Sequence, residues 1–171
     1  MDRESPAIAP RRRLLMHIER HPGEHLRELE RRTGLAVGVL RHHLDYLIEA
    51  RLVVEERDGR LRRLFPVGLD AALRDSLKAL RVRAHRAILV RLLNHPASSA
   101  REICDALQLA PRTTNHYLRA LTSSGHVLRD DADRYQLADP DAMVRALVAY
   151  RPSFADRLVD AALEMWFDES A

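Results

Sequence analysis

Apolar residues recur along this chain at two spacings, and the change from one to the other marks out its elements. Between residues 11 and 20, Leu14, Leu15 and Ile18 form one apolar face among arginines, the spacing of an amphipathic helix. That run stops at His21-Pro22-Gly23, where proline and glycine both oppose continuation. A second helix is expected over 25–32 with Leu26 and Leu29 inward, and Gly34 stands where a left-handed C-terminal residue is wanted. A third, over 37–50, aligns Leu40, Leu44, Leu47 and Ile48 in one stripe. The period then changes: Val53, Val54 and Leu61, Leu64, Phe65 flank Asp58-Gly59, a strong short signal for a two-residue hairpin turn.

The same parts return after an offset of 74 residues, "HPGEHLRELERRTGLAVGVLRHHLDYLIEARLV" at 21–53 coming back as "HPASSAREICDALQLAPRTTNHYLRALTSSGHV" at 95–127 without a gap. Leu14, Ile18, Leu29, Leu35, Leu44, Leu47 and Val53 correspond to Ile88, Leu92, Ile103, Leu109, Leu118, Leu121 and Val127, seven matched core positions. In the second copy Ser99 and Glu102 make a capping box, and Pro111 suits the first turn of a helix. Its hairpin, "VLRDDADRYQL", is shorter and carries Asp130, Asp131 and Asp133 at the tip. Residues 69–94 read as one long helix with Leu69, Leu73, Leu77, Leu80, Ala84 and Ile88 near one face, a rigid link between the copies. The tail reads as two helices parted at Arg151-Pro152, the second with an apolar stripe opposite an acidic side. The expected fold is mainly α with small β-hairpin wings: two tandem winged helix-turn-helix domains joined by a long helix, plus C-terminal helices. Its boundaries are 11–68, a linker at 69–81, 82–138, and a C-terminal segment at 139–171.

The stretch from "LRELERRTGL" through "VGVLRHHLDYLIEARLV" resembles the winged-helix transcription regulators of the broad ArsR and MarR type. The duplication looks like the tandem winged-helix regulators frequent in archaea. The resemblance covers 11–66 and 82–137 and implies a transcriptional regulator that binds double-stranded DNA in a sequence-specific way and is not an enzyme. The chain departs from the family pattern at Arg51, where the usual residue is glycine. It also holds a single cysteine, Cys104, where metal-sensing members carry cysteine pairs.

Charge and residue type sharpen that implication. The net charge of +3 divides as +3 over 1–68, +4 over 69–95, 0 over 96–138 and −4 over 139–171. Arginine supplies nearly all of the positive charge, Lys78 being the only lysine among 171 residues, and its planar fork suits phosphates and guanine edges. In helix-turn-helix geometry the third helix enters the major groove. With Leu40 and Leu44 inward, that helix offers Val37, Gly38, Arg41 and His42 as base-reading residues, Arg41 being able to grip guanine with two bonds. The second copy offers Arg112, Thr113 and Asn115, with asparagine suited to adenine. Arg57, Arg60, Arg62 and Arg63 on the first hairpin are the expected phosphate contacts, while the aspartates of the second hairpin would repel a phosphate backbone.

Phe154, Leu158, Trp166 and Phe167 of the tail are expected to form an association surface, through which the C-terminal helices make a homodimer or pack on their own chain. The acidic second hairpin and tail keep a second class open, an interaction module with a transcription-machinery partner. No metal or cofactor is expected: His17, His21 and His25 are spaced by four, but Pro22-Gly23 interrupts their helix, and no phosphate loop or nucleophile motif appears. Without an apolar run of 18 residues or a signal core, the expected setting is the cytoplasm, away from membranes.

Overall fold

The computed structural model describes residues 8–154 together with 159, 160, 163 and 165. The chain divides into two compact units, 1–78 and 79–171.

The first unit runs α1 (Ile8–Arg20), α2 (Leu26–Thr33), α3 (Val37–Glu49), β1 (Val53–Asp58), β2 (Leu61–Pro66) and most of α4 (Ala71–Arg81). The first helix starts three residues before the stretch marked by its apolar face. Leu14, Ile18, Leu29, Leu40, Leu44, Leu47, Val53 and Leu64 close one core, with Leu26, Leu35 and Ile48 at its edge. Helix α2 ends where the sequence placed a left-handed residue: Gly34 has φ 68, and its N–H donates to the Glu30 carbonyl.

The hairpin turn lies one residue later than expected. Asp58 pairs with Leu61 across the strands, so Gly59 and Arg60 make the turn instead of Asp58-Gly59. Two causes act together. Gly59 takes φ 59 at the first central position, where two-residue turns with glycine accept it, and the Asp58 carboxylate is held inside the ladder by the Arg63 Nε–H. Two residues earlier on β1, Glu56 takes ion pairs from α4, 2.7 Å from Arg74 Nε and 2.6 Å from Lys78 Nζ. Burial acts to lower the Lys78 pKa, but the hydrogen bonds it donates to Asp75 and Glu56 outweigh it and the pKa is raised.

The second unit follows as α5 (Arg83–Asn94), β3 (Ser98–Ser99), α6 (Ala100–Leu107), α7 (Pro111–Ser123), β4 (Val127–Arg129), β5 (Arg134–Leu137), α8 (Pro140–Ala149) and a 3-10 turn at Arg151–Phe154. Helices α6 and α7 have the bounds of α2 and α3 displaced by 74 residues at both ends. Six of the seven matched core pairs are buried in both units, and the seventh, Leu35 with Leu109, is half-buried in both. The expected capping box is present, with the Ser99 N–H donating to Glu102 Oε2 at 2.6 Å and the Glu102 N–H to Ser99 Oγ at 3.3 Å. The Ser99 N–H first, and then the Ser99 hydroxyl donating to the same oxygen at 2.8 Å, hold the Glu102 carboxyl below the usual range. Strand order is β3-β5-β4. The first unit keeps only a trace of the third strand, a bridge between His25 and Arg63.

The long linking helix expected over 69–94 is two helices. Val82 interrupts them with an extended backbone, φ −82 and ψ 112, although no proline or glycine is nearby. The end of α4 is satisfied without continuing: the Val82 N–H donates to the Ala79 carbonyl at 3.2 Å and Arg86 Nη1 to the Leu80 carbonyl at 2.6 Å. Beyond α8, the expected second tail helix begins as the 3-10 turn. Phe154 is buried, 3% exposed, with the guanidinium carbons of Arg81 and Arg86 at 4.9 and 5.6 Å from its ring centroid. It therefore packs within its own unit, which removes it from an exposed association surface. Leu158, Trp166 and Phe167 lie outside the described residues.

Candidate nucleic-acid interface

Each third helix is fixed from below by its core stripe, and that choice decides what it shows outside. Leu40, Leu44 and Leu47 are buried under α3, so Gly38, Arg41, His42 and Asp45 are exposed along its other side and Val37 is half-buried. Thr114, Leu118 and Leu121 are buried under α7, leaving Arg112, Asn115, His116 and Arg119 exposed and Thr113 half-buried. The 74-residue offset superposes these faces position by position: Gly38 with Arg112, Arg41 with Asn115, His42 with His116, Asp45 with Arg119. One backbone thus presents two different sets of donors, and only the histidine is shared.

His43 faces inward on α3 and is 6% exposed. Burial, then the neighbouring Arg11 and His42 charges, lower its pKa below the ordinary 6.5, so the ring is neutral at pH 7. The adjacent histidines thus divide as one surface group and one core group.

The first hairpin does not offer all four of its arginines. Arg63 is 3% exposed, and besides Asp58 it donates from Nη1 to the Gly23 carbonyl at 2.9 Å. It ties the hairpin to the segment before α2 and is not available to a phosphate. Arg62 is exposed and paired with Glu55 at 2.7 Å. Arg57 bonds the Gly59 carbonyl at 3.1 Å through Nε, and Arg60 is exposed in the turn itself. In the second hairpin the cations are exposed but engaged: Arg129 pairs with Asp133, and Arg134 donates to the Ala97 carbonyl at 2.6 Å beside Glu102. Asp130 caps its own loop by accepting from the Ala132 and Arg134 N–H groups at 2.9 Å.

The first histidine of the row of three bonds a buried carboxylate. His17 Nε2 lies 2.8 Å from the buried Glu24 carboxylate, which Arg32 also approaches at 2.8 Å. Among the described residues no group of three His, Cys, Asp or Glu side chains is placed to hold a metal. Cys104 donates to the Leu109 carbonyl at 2.7 Å, between α6 and α7.

Sequence reading passed over Val39 and Tyr46, exposed by 44% and 48% on the flank of α3, and over Arg11, whose guanidinium stacks 3.9 Å from the Tyr46 ring centroid. The signal for Tyr46 was available, since it follows His42 by one turn and faces away from Leu44 and Leu47. Arg11 stood in a row of three arginines with nothing to single it out.

Three helices and a hairpin, twice over, with an exposed third helix each time, define a tandem winged helix-turn-helix protein. Comparison with known proteins agrees on both halves: residues 9–77 match a family described as an N-terminal HTH domain, and residues 83–127 one described as winged helix-turn-helix DNA-binding. The chain is 32% identical over 118 residues to an uncharacterized HTH-type transcriptional regulator of Methanocaldococcus jannaschii. That match covers 68% of this chain and 29% of the relative. The first family is described by its helix-turn-helix domain and the second also by DNA binding. Among the described residues no helix is long and apolar enough to cross a membrane.

Proposed function

We propose that the protein is a transcriptional regulator that binds double-stranded DNA in a sequence-specific way through α3 and α7. The observation carrying this reading is the pair of exposed helix faces on matched backbones, each bearing groups that read base edges: Arg41 for guanine, Asn115 for adenine, and Arg112 for guanine or a phosphate. Val37, Gly38 and His42 line the first face, and Thr113 joins the second. Because the faces differ at every matched position except the histidine, the target contains two unlike half-sites and not a palindrome. Arg57, Arg60 and Arg62 supply backbone contacts, and the cytoplasm is the setting. The proposed division is a reading domain at 11–68, a linker at 69–81, a second domain at 82–138 and a C-terminal segment at 139–171.

The second hairpin favours a narrower role for its unit. Both of its arginines are engaged by groups of the same unit and three aspartates sit at its tip, so this unit touches DNA with α7 alone and turns its hairpin toward a protein partner of the transcription machinery. Residues of the tail beyond Phe154 are the remaining candidates for a homodimer contact.

Selecting bound sequences from a random duplex pool tests the reading. Two distinct half-sites are expected. Arg41→Ala should relax the preference at one base of one half-site by about 1–3 kcal/mol while random duplexes bind as before. No enrichment from the pool would overturn it.

A further inference from the structure

Arg11 makes a stacking contact in the first unit. It leaves the first turn of α1, crosses to α3 and lies flat on Tyr46, 3.9 Å from guanidinium carbon to ring centroid. Tyr46 is half-exposed on the flank of the reading helix, one turn beyond His42. Stacking holds a guanidinium by its face and leaves the donor edge open. That edge is unused here: among the described residues no carboxylate or carbonyl accepts from Arg11, and its Nε–H, shielded from water, has no hydrogen-bond partner. A buried N–H without an acceptor is costly unless a ligand completes it.

The second unit serves as an internal comparison. At the 74-residue offset His85 replaces Arg11 and Ala120 replaces Tyr46, and His85 instead meets Tyr117 edge-on, with centroids 5.3 Å apart. Matched backbones therefore carry the stacked cation in one unit and not in the other, so the stack is not a requirement of the fold.

We propose that Arg11, positioned by Tyr46, is a phosphodiester-binding site on the flank of α3, gripping one DNA strand beside the groove that α3 enters. This rests on the DNA-binding reading above and adds a contact outside the hairpin. Arg11 touches the ligand, and Tyr46 is a positioning residue.

The test uses the full chain and a random-sequence duplex, with affinity measured across a salt series. Arg11→Gln should weaken binding several-fold and flatten the slope of log K against log salt by about 0.9, the release expected for one phosphate contact. Tyr46→Phe keeps the ring and should bind as the parent does. Tyr46→Ala should lose affinity as Arg11→Gln does, and adding it to Arg11→Gln should cost nothing more. Melting temperature is read for each variant. An unchanged slope in Arg11→Gln overturns the proposal, as does a loss of affinity that tracks a lowered melting temperature, which would make the stack structural. A parent chain that ignores duplex DNA would sink the DNA-binding reading and this site with it, whereas a parent that binds and an Arg11→Gln variant that matches it sinks the site alone.

Discussion

Four backbone positions with positive φ occur at matched places in the two units: 23 and 97, 34 and 108, 51 and 125, 59 and 133. The first unit fills them with Gly, Gly, Arg and Gly, and the second with Ala, Gln, Gly and Asp. Arg51 takes φ 55 where its counterpart Gly125 takes φ 76, so the departure from the family pattern noted in sequence is a strained residue in an unchanged backbone. A left-handed conformation costs an ordinary L-residue ~1 kcal/mol or more, partly offset by the greater freedom of an unfolded glycine. Arg51→Gly and Gln108→Gly are each expected to raise stability by about 0.5–1 kcal/mol, read from the midpoint of denaturant unfolding. The reverse change, Gly34→Ala, should cost about 1 kcal/mol even though an added Cβ would meet nothing within 4 Å. Arg51 could be anticipated because glycine is expected there. Ala97, Gln108 and Asp133 could not, because their side chains carry no mark of a backbone fixed by the surrounding helix ends and hairpin turn. His43 adds a pH effect. Its folded pKa is lowered, so the unfolded chain binds the proton first, and stability is complete above the ordinary 6.5 and falls as pH drops from there toward the lowered value. His43→Leu should flatten that part of the stability profile, as followed by thermal melts across pH.

At the level of elements, the hairpin shows why charge counted in sequence overstates charge available to a ligand. Four arginines lie on β1, β2 and their turn, yet Glu55, Glu56 and Asp58 lie there too, and Arg63 is consumed inside. The two arginines nearest the turn should therefore behave differently from Arg63. Arg60→Ala is expected to flatten the salt dependence of DNA binding by about 0.9 while leaving the melting temperature in place. Arg63→Ala should do the opposite, costing about 1–3 kcal/mol of stability through the orphaned Gly23 carbonyl and Asp58, with the salt slope kept. Nothing in residue type separates Arg63 from Arg62, since both are strand arginines; the difference is the face of the ladder, fixed by a turn that falls one residue later than the Asp-Gly pair suggested. The break at Val82 was equally hidden. The apolar pattern runs through it, and what ends α4 is the Arg86 side chain reaching back to the Leu80 carbonyl, a bond that periodicity cannot register.

Taken whole, the molecule was most legible where it repeats. The offset of 74 residues, read from seven apolar pairs, reappears as identical bounds for α2 and α6 and for α3 and α7, because burial patterns fix helices and helices fix their neighbours. The donor sets on the exposed faces were legible for the same reason: with the inward stripe known, the outward residues follow. What escaped were contacts that side chains choose among several partners, the Arg11 stack and the engaged arginines of the second hairpin among them. The two units also differ at inward positions, buried Leu40 standing where the other has buried Thr114 and buried His43 where the other has half-buried Tyr117, so a helix from one copy would fit the core of the other poorly.

That mismatch, and the division after Lys78, set a timetable for the chain's synthesis. Every residue of the first core, from Leu14 to Leu64, is made before the second unit begins at Ala79. At ~5–20 residues per second the second unit takes about 5–20 s to emerge, while a helical unit of this size closes in milliseconds or less. The first copy can therefore be shut, with its leucines withdrawn, before its look-alike exists to compete for them.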